Sequence, residues 1–302
     1  MRVSTYASAV LLLFSALPGL SQSADSNGDS GPAPQQNGSV LSVQPGSEAI
    51  KPKDRFDNTG YLHPFVRMPR FVLEDQKTIW TSPFHTSKRD WKWWAIFGGA
   101  TAGLIAADQH IAKAAPNNPT LVHLGNDFSY LGAPYTLIPA AGGMYFLGSW
   151  AGNDRVREAG MLSFETLIDV TVVQLAVKSI TDRERPNEGQ GEGHFWASTS
   201  PRYNSSFPSG HAIETFALAS ILAHEYHDKL WVKILAYAYA GGVVGARLAA
   251  NQHFPGDVMA GGAMGWFIGD YVYGRRHDAE LDPKESMLKK VLKHVQISFA
   301  GD

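Results

Sequence analysis

The chain has 302 residues, is 44% hydrophobic and 18% charged, and carries a formal net charge of -2. That length suffices for one large domain with accessory segments, and the near-neutral balance gives no basis for nucleic-acid binding. The chain has no cysteine, which excludes disulfides and thiolate metal sites.

Residues 1–23 read as a secretory signal peptide. Arg2 supplies the positive start, Ala9 to Leu20 the apolar run, and Ser21 and Ser23 the small residues for cleavage. Residues 24–60 are rich in Ser, Gly, Pro, Gln and Asn and have almost no large apolar side chain before Phe56. Such a stretch buries too little surface to offset its ordering entropy and reads as a disordered linker. Residues 61–90 form an accessory segment broken by Pro64, Pro69 and Pro83. A short helix is expected there over about 73–80, packed on the domain or lying at a membrane surface.

From Trp91 onward come apolar stretches at about 93–107, 130–151, 159–178, 211–226, 231–249 and 257–273. Each is long enough for four or more helical turns, and the frequent Gly and Ala permit close helix contact. The expectation is an all-α fold: a six-helix bundle over residues 91–276, with an extended N-terminal segment and a tail at 277–302. For membrane crossing speak the uncharged 130–151 stretch and tryptophans at segment ends, such as Trp93, Trp150 and Trp231. Against it speak Glu165, Asp169, Glu214, His224 and Asp270 within the stretches, and a mean hydropathy of -0.16. A cleaved signal peptide followed by six spans would also put the motif loops on the side opposite to that set by Arg155, Arg157, Lys229, Lys233, Arg275 and Arg276. The balance favours an exported cell-envelope protein, periplasmic or membrane-associated through part of its helices.

The chemistry concentrates in three blocks. In Ser206-Phe207-Pro208-Ser209-Gly210-His211, Pro208 bars a helix through Phe207 and Ser209 is a good N-cap for the helix that follows. The bare amides of that first turn favour an anion. Upstream, Lys178 stands six residues clear of Arg185-Pro186. Downstream, Arg247 is followed after five residues by His253 and after three more by Asp257. Three cations, a hydroxyl, bare amides and two imidazoles are what a phosphate site needs.

In order and internal spacing these blocks resemble the motifs K-x6-R-P, P-S-G-H and S-R-x5-H-x3-D of the type 2 phosphatidic acid phosphatase and vanadium haloperoxidase superfamily. The resemblance covers roughly residues 90–275. One position departs: Ala246 stands where the family has serine. The resemblance implies a phosphatase with His253 as nucleophile, forming a phosphohistidine. Asp257 would hold the other ring nitrogen, and His211 would protonate the leaving alkoxide and then activate water. Lys178, Arg185, Ser209, Gly210 and Arg247 would bind the phosphate. No metal or other cofactor is needed in this scheme, because the cationic cluster does what Mg²⁺ does elsewhere. The substrate would be a lipid phosphate, an isoprenyl pyrophosphate or a soluble phosphomonoester. The same cluster suits vanadate, so a haloperoxidase is the second enzyme reading. A non-catalytic envelope phosphate-binding protein is the third.

Blander readings exist for single residues. Lys178 and Asp182 have the spacing of a helix-surface pair, and Asp257 suits a cap. His224-Glu225-Tyr226-His227-Asp228 has metal-ligating residue types but lacks an i, i+4 histidine pair, so it reads as a solvated helix end. The loop with His194, Phe195 and Trp196 is either a substrate contact or a mobile loop with one packed anchor.

Overall fold

The computed structural model describes residues 63–85, 91–114, 118–188, 191–198 and 202–283. The signal peptide and linker expected at 1–60, and most of the expected tail at 277–302, lie outside them. Among the described residues the regular structure is helical, with no strand. The helices are α1 (His63–Thr81), α2 (Trp91–Ala114), α3 (Pro119–Ser129), α4 (Pro134–Trp150), α5 (Asp154–Thr181), α6 (Gly210–Glu225), α7 (Leu230–Ala249) and α8 (Pro255–Arg276).

All six expected helices are present, and two elements differ. α3 was not expected; it starts where Asn118 caps the N–H groups of Thr120 and Leu121 and Pro119 occupies the first turn. α1 is much longer than the expected 73–80 and runs through Pro69. Its apolar face outweighs the bond that Pro69 removes: Phe65, Met68 and Val72 pack on Tyr145, Met161, Phe164 and Ile168. Further along α1, Arg276 of α8 donates to Asp75 at 2.9 Å and to Glu165 at 2.8 Å, and Gln76 donates to Asp169 at 2.9 Å. The acidic residues within α5 that spoke against an apolar helix therefore face the interior and are bonded there.

The core lies between α5, α6 and α8 and includes Val170, Val173, Ile213, Ile221, Met264 and Ile268. α6 and α8 touch at their backbones. A Cβ at Gly265 would collide with the Ile213 carbonyl, and Gly261 and Gly269, one turn to either side, face Ser209 and Ala217 as closely. This contact holds the start of α6, with His211, beside the start of α8, with Asp257.

One described helix, Asp154–Thr181, is long and apolar enough to cross a membrane, and most of its apolar window is buried. Outward-facing apolar side chains gather instead on α2, α4 and α7, among them Trp93, Ile96, Phe146, Trp150, Trp231 and Leu235. The 224–228 segment differs from the solvated helix end expected for it. Glu225 is fully buried, although its neighbours are partly exposed.

Candidate active site

Four helix ends and one long loop build the site. Lys178 lies in the last turn of α5, His211 in the first turn of α6, Arg247 in the last turn of α7, and Asp257 in the first turn of α8. The loop over 182–209 carries Arg185. The polypeptide begins that loop with Asp182 in the left-handed region at φ 38°, and the Asp182 carboxylate takes Arg202 Nε at 2.6 Å and Ser198 N at 2.7 Å. So Asp182 pairs with Arg202 and stabilises the loop, where the sequence had suggested a surface pair with Lys178. Thr181 Oγ1 donates to the Phe207 carbonyl at 2.9 Å, and Ser206 N to that of Arg183 at 2.8 Å. Ser209 N donates to the Asp257 carbonyl at 3.0 Å, joining the second block to the third.

A cavity of about 490 Å³ results, lined by Lys178, Arg185, Gly210, His211, Arg247 and His253 together with Gln174 and Glu214. Six of the eight sequence-predicted residues thus share one wall. Ser209 and Asp257 are fully buried just behind it. Ser209 occupies the cap position, but its hydroxyl makes no capping bond and has no hydrogen-bond partner. The bare Gly210 leaves room for the Gln174 carbonyl oxygen, and Gln174 in turn donates to Glu214.

The cations are fixed in advance. Arg185 Nη1 donates to the Gln252 carbonyl and to its side-chain oxygen, both at 3.0 Å, while Nη2 reaches Asn204 Oδ1 at 2.8 Å. Lys178 Nζ donates to the Ser205 carbonyl. Arg247 Nε has no hydrogen-bond partner. Burial, then Arg185 beside it, pushes the Lys178 ammonium down to about 7, and burial with Arg185 lowers Arg247 to about 10. Burial is the larger cause of both shifts, and the neighbouring cations add to it.

His253 is 3% exposed, far from a surface turn residue. Its Nδ1 lies 2.8 Å from the Ser206 carbonyl and 3.8 Å from Asp257 Oδ2. The expected direct bond from Asp257 to the ring is therefore replaced by a main-chain acceptor, with the carboxylate acting through space. Asp257 spends its oxygens elsewhere: Oδ2 accepts Ser206 Oγ at 2.5 Å and Phe254 N at 2.8 Å, and Oδ1 accepts Arg183 Nη1 at 2.6 Å. The bond from Phe254 N caps α8, which starts at Pro255, two residues before the expected start. Burial pushes the His253 ring down to about 3, with Asp257 opposing it. Asp257 falls to about 2, because bonds and nearby charges outweigh its burial. The pair near neutral pH is a neutral imidazole beside a carboxylate. With Nδ1–H given to the carbonyl, the lone pair is on Nε2.

Sequence reasoning missed Arg183. Its guanidinium is buried between Asp257 and Asp108, 2.9 Å away, and packs between the rings of Phe195 and Phe254. Phe195 is thus the packed anchor of its loop and is absent from the cavity wall. Gly256 lets α2 approach: a Cβ there would strike Asp108, which accepts the Gly256 N–H at 2.8 Å. Two groups of described carboxylates and histidines have cation-ligating proximity, and neither lines this cavity.

Residues 159–279 match the family model described as the PAP2 superfamily. Over 70 residues the chain is 33% identical to a lipid A 1-phosphatase of Porphyromonas gingivalis; that stretch is 23% of this chain and spans 16% of the length of that protein. Two solved structures are similar. A transmembrane PAP2-type phosphatidylglycerolphosphate phosphatase from Bacillus subtilis is 23% identical, with 73% of this chain and 98% of that one covered at a TM-score of 0.45. LpxE of Aquifex aeolicus is 23% identical, with 54% and 91% covered at a TM-score of 0.41. The matched residues 159–279 hold all three motif blocks and every wall residue named above.

Proposed function

We propose that the chain is a metal-independent phosphatase that hydrolyses a lipid phosphate ester through a phosphohistidine on His253. The observation that carries this reading is the convergence of Lys178, Arg185, Arg247, His211 and His253 on one cavity wall. A phosphate dianion there relieves the mutual repulsion of three buried cations. His253 Nε2 attacks phosphorus, the bond to the ester oxygen breaks, and His211 gives its proton to the departing alkoxide. Water then attacks the phosphorus of the phosphohistidine, His211 takes up the proton, and inorganic phosphate leaves with His253 restored. Asp257, 3.8 Å from the ring, stabilises the positive charge that the imidazole gains on phosphorylation.

The lipid class rests on a second cavity of about 460 Å³, lined by Phe97, Leu104, Phe216, Pro255, Met259 and Trp266 among others. Pro255, two residues from His253 in sequence, is among its lining residues, and the cavity suits an apolar group. The apolar side chains facing outward on α2, α4 and α7 suit an envelope protein associated with a membrane. The relatedness to a lipid A 1-phosphatase over 70 residues supports the same class. The test is phosphate release from dispersed phosphatidic acid and from a soluble aryl phosphate, with His253→Ala as control. Preference for the lipid is expected; turnover of the aryl phosphate alone would overturn the lipid assignment, and activity in His253→Ala the whole reading.

A further inference from the structure

At the other end of three of the helices that build the cavity lies a second group of titratable residues. Glu158 is near the start of α5, Glu225 is the last residue of α6, and His277 directly follows α8. Helix rise puts them about 20–30 Å from the phosphate cavity. Both glutamates are fully buried, and His277 is 11% exposed at its side chain. One oxygen of each glutamate and one nitrogen of the histidine lie within 4.8 Å of one another.

The hydrogen bonds around the group leave its centre without a donor. Glu158 Oε1 accepts the Asp278 N–H at 2.7 Å, which aims the unpartnered Oε2 inward. Neither oxygen of Glu225 has a hydrogen-bond partner, and Arg155 Nε stands 3.5 Å from Oε1. His277 Nδ1 lies at ion-pair distance from both, 3.2 Å from Glu158 Oε2 and 3.5 Å from Glu225 Oε2, without a well-aligned hydrogen bond to either. Its Nε2 lies 3.3 Å from Asp282 Oδ1, and its ring stacks on Tyr273 at 4.3 Å. Donation from Nε2 to Asp282 leaves a lone pair on Nδ1, aimed at two buried carboxylates. Three lone pairs meeting without a proton donor repel one another unless a cation sits between them.

We infer that Glu158, Glu225 and His277 bind a divalent transition-metal cation, of the Zn²⁺ or Mn²⁺ type, that ties α5, α6 and α8 together. Bonds of about 2.1 Å put ligand atoms about 3.0–3.5 Å apart around a tetrahedral or octahedral ion, and His277 Nδ1 stands 3.2 and 3.5 Å from the two carboxylates. A mixed nitrogen and oxygen set suits these ions. The Asp282–His277 pair supplies the outer carboxylate that orients a metal-bound imidazole. Two carboxylates also neutralise a dication in a buried site. The competing occupant is a proton on Nδ1, since Glu158 and Glu225, working against burial, push His277 up to about 10.

The test is calorimetric titration of Zn²⁺ and of Mn²⁺ into full-length, chelator-stripped protein near neutral pH, with thermal unfolding alongside. One cation per chain is expected, with Tm raised by about 5–10 °C at a hundredfold excess over Kd. Glu225→Gln, which is nearly isosteric, and His277→Ala should each weaken binding at least about tenfold, while His253→Ala binds like wild type. No saturable binding to the wild type, or equal binding by Glu225→Gln and His277→Ala, would overturn the site in favour of the proton. Loss of binding in His253→Ala would move the cation to the phosphate cavity and also overturn it. None of these readouts uses turnover, so failure of the phosphatase assignment leaves the result intact.

Discussion

His253 Nδ1 lies 2.8 Å from the main-chain carbonyl oxygen of Ser206. A backbone acceptor cannot be removed by mutating a side chain, so the nucleophile keeps its tautomer and orientation under substitutions that would disturb a triad. Asp257→Asn should then lower kcat by about 10²-fold with little change in KM, because the His253 ring keeps its main-chain bond and loses only the through-space charge. Ser206→Ala should cost less than about tenfold. Steady-state kinetics check both; a loss near 10⁴-fold in Asp257→Asn would mean that the carboxylate itself holds the ring.

Arg183 neutralises two buried carboxylates at once, Asp108 and Asp257. Arg183→Ala leaves both uncompensated and should destabilise the fold by about 3–5 kcal/mol. Denaturant unfolding measures this. A change below about 1 kcal/mol would contradict the clamp.

His211 stands at about 3 in the free cavity, held down by burial first and then by Arg247, Lys178 and Arg185. At that value it is neutral near pH 7 and has no proton for the leaving group. A bound phosphate dianion offsets the three cations, so the pKa of His211 must rise on binding. NMR titration of the ring with and without orthovanadate should show the rise. An unchanged value would remove His211 as the general acid.

Glu214 was not expected at the site, yet burial raises its carboxyl to about 8 against the pull of Gln174 and Lys178. The unfolded chain loses this proton near pH 4.5 and the folded chain keeps it to about pH 8, so the contribution of Glu214 to stability falls with rising pH across that window. Glu214→Gln removes the titration. Its stability relative to wild type should grow by about 1.4 kcal/mol per pH unit between those values. A pH-independent difference in urea unfolding would contradict the buried acid.

Chelation separates the two sites. EDTA should leave phosphate release unchanged well below Tm, since no carboxylate–histidine group of cation-ligating proximity among the described residues lines the cavity. The same treatment should lower Tm if the Glu158–Glu225–His277 site is filled in the purified protein. Full loss of turnover on chelation, without unfolding, would overturn the metal-independent scheme.

The site was legible because its residues lie at fixed spacings in helix-terminal turns, where sequence distance converts directly into position. Lys178, Arg185, His211, Arg247 and His253 therefore met as expected. Arg183 was hidden because nothing local distinguishes a buried arginine from a solvated one; only α2, through Asp108, reveals its second partner. The Glu225 cluster stayed hidden for the same reason, since Glu158 and His277 are 67 and 52 residues away in sequence. The N-terminal helix was underestimated because Pro69 signals a break locally, whereas contacts with α4 and α5 decide the outcome.

The central claim is a covalent phosphoenzyme on His253. Rapid acid-free quenching of enzyme with a labelled phosphate ester, followed by peptide mapping, tests it most directly. Acid-labile, alkali-stable label is expected on the peptide carrying His253, approaching one equivalent per active site when dephosphorylation is slow, and none in His253→Ala. Label on another residue, or turnover with no labelled intermediate at any time point, would contradict it.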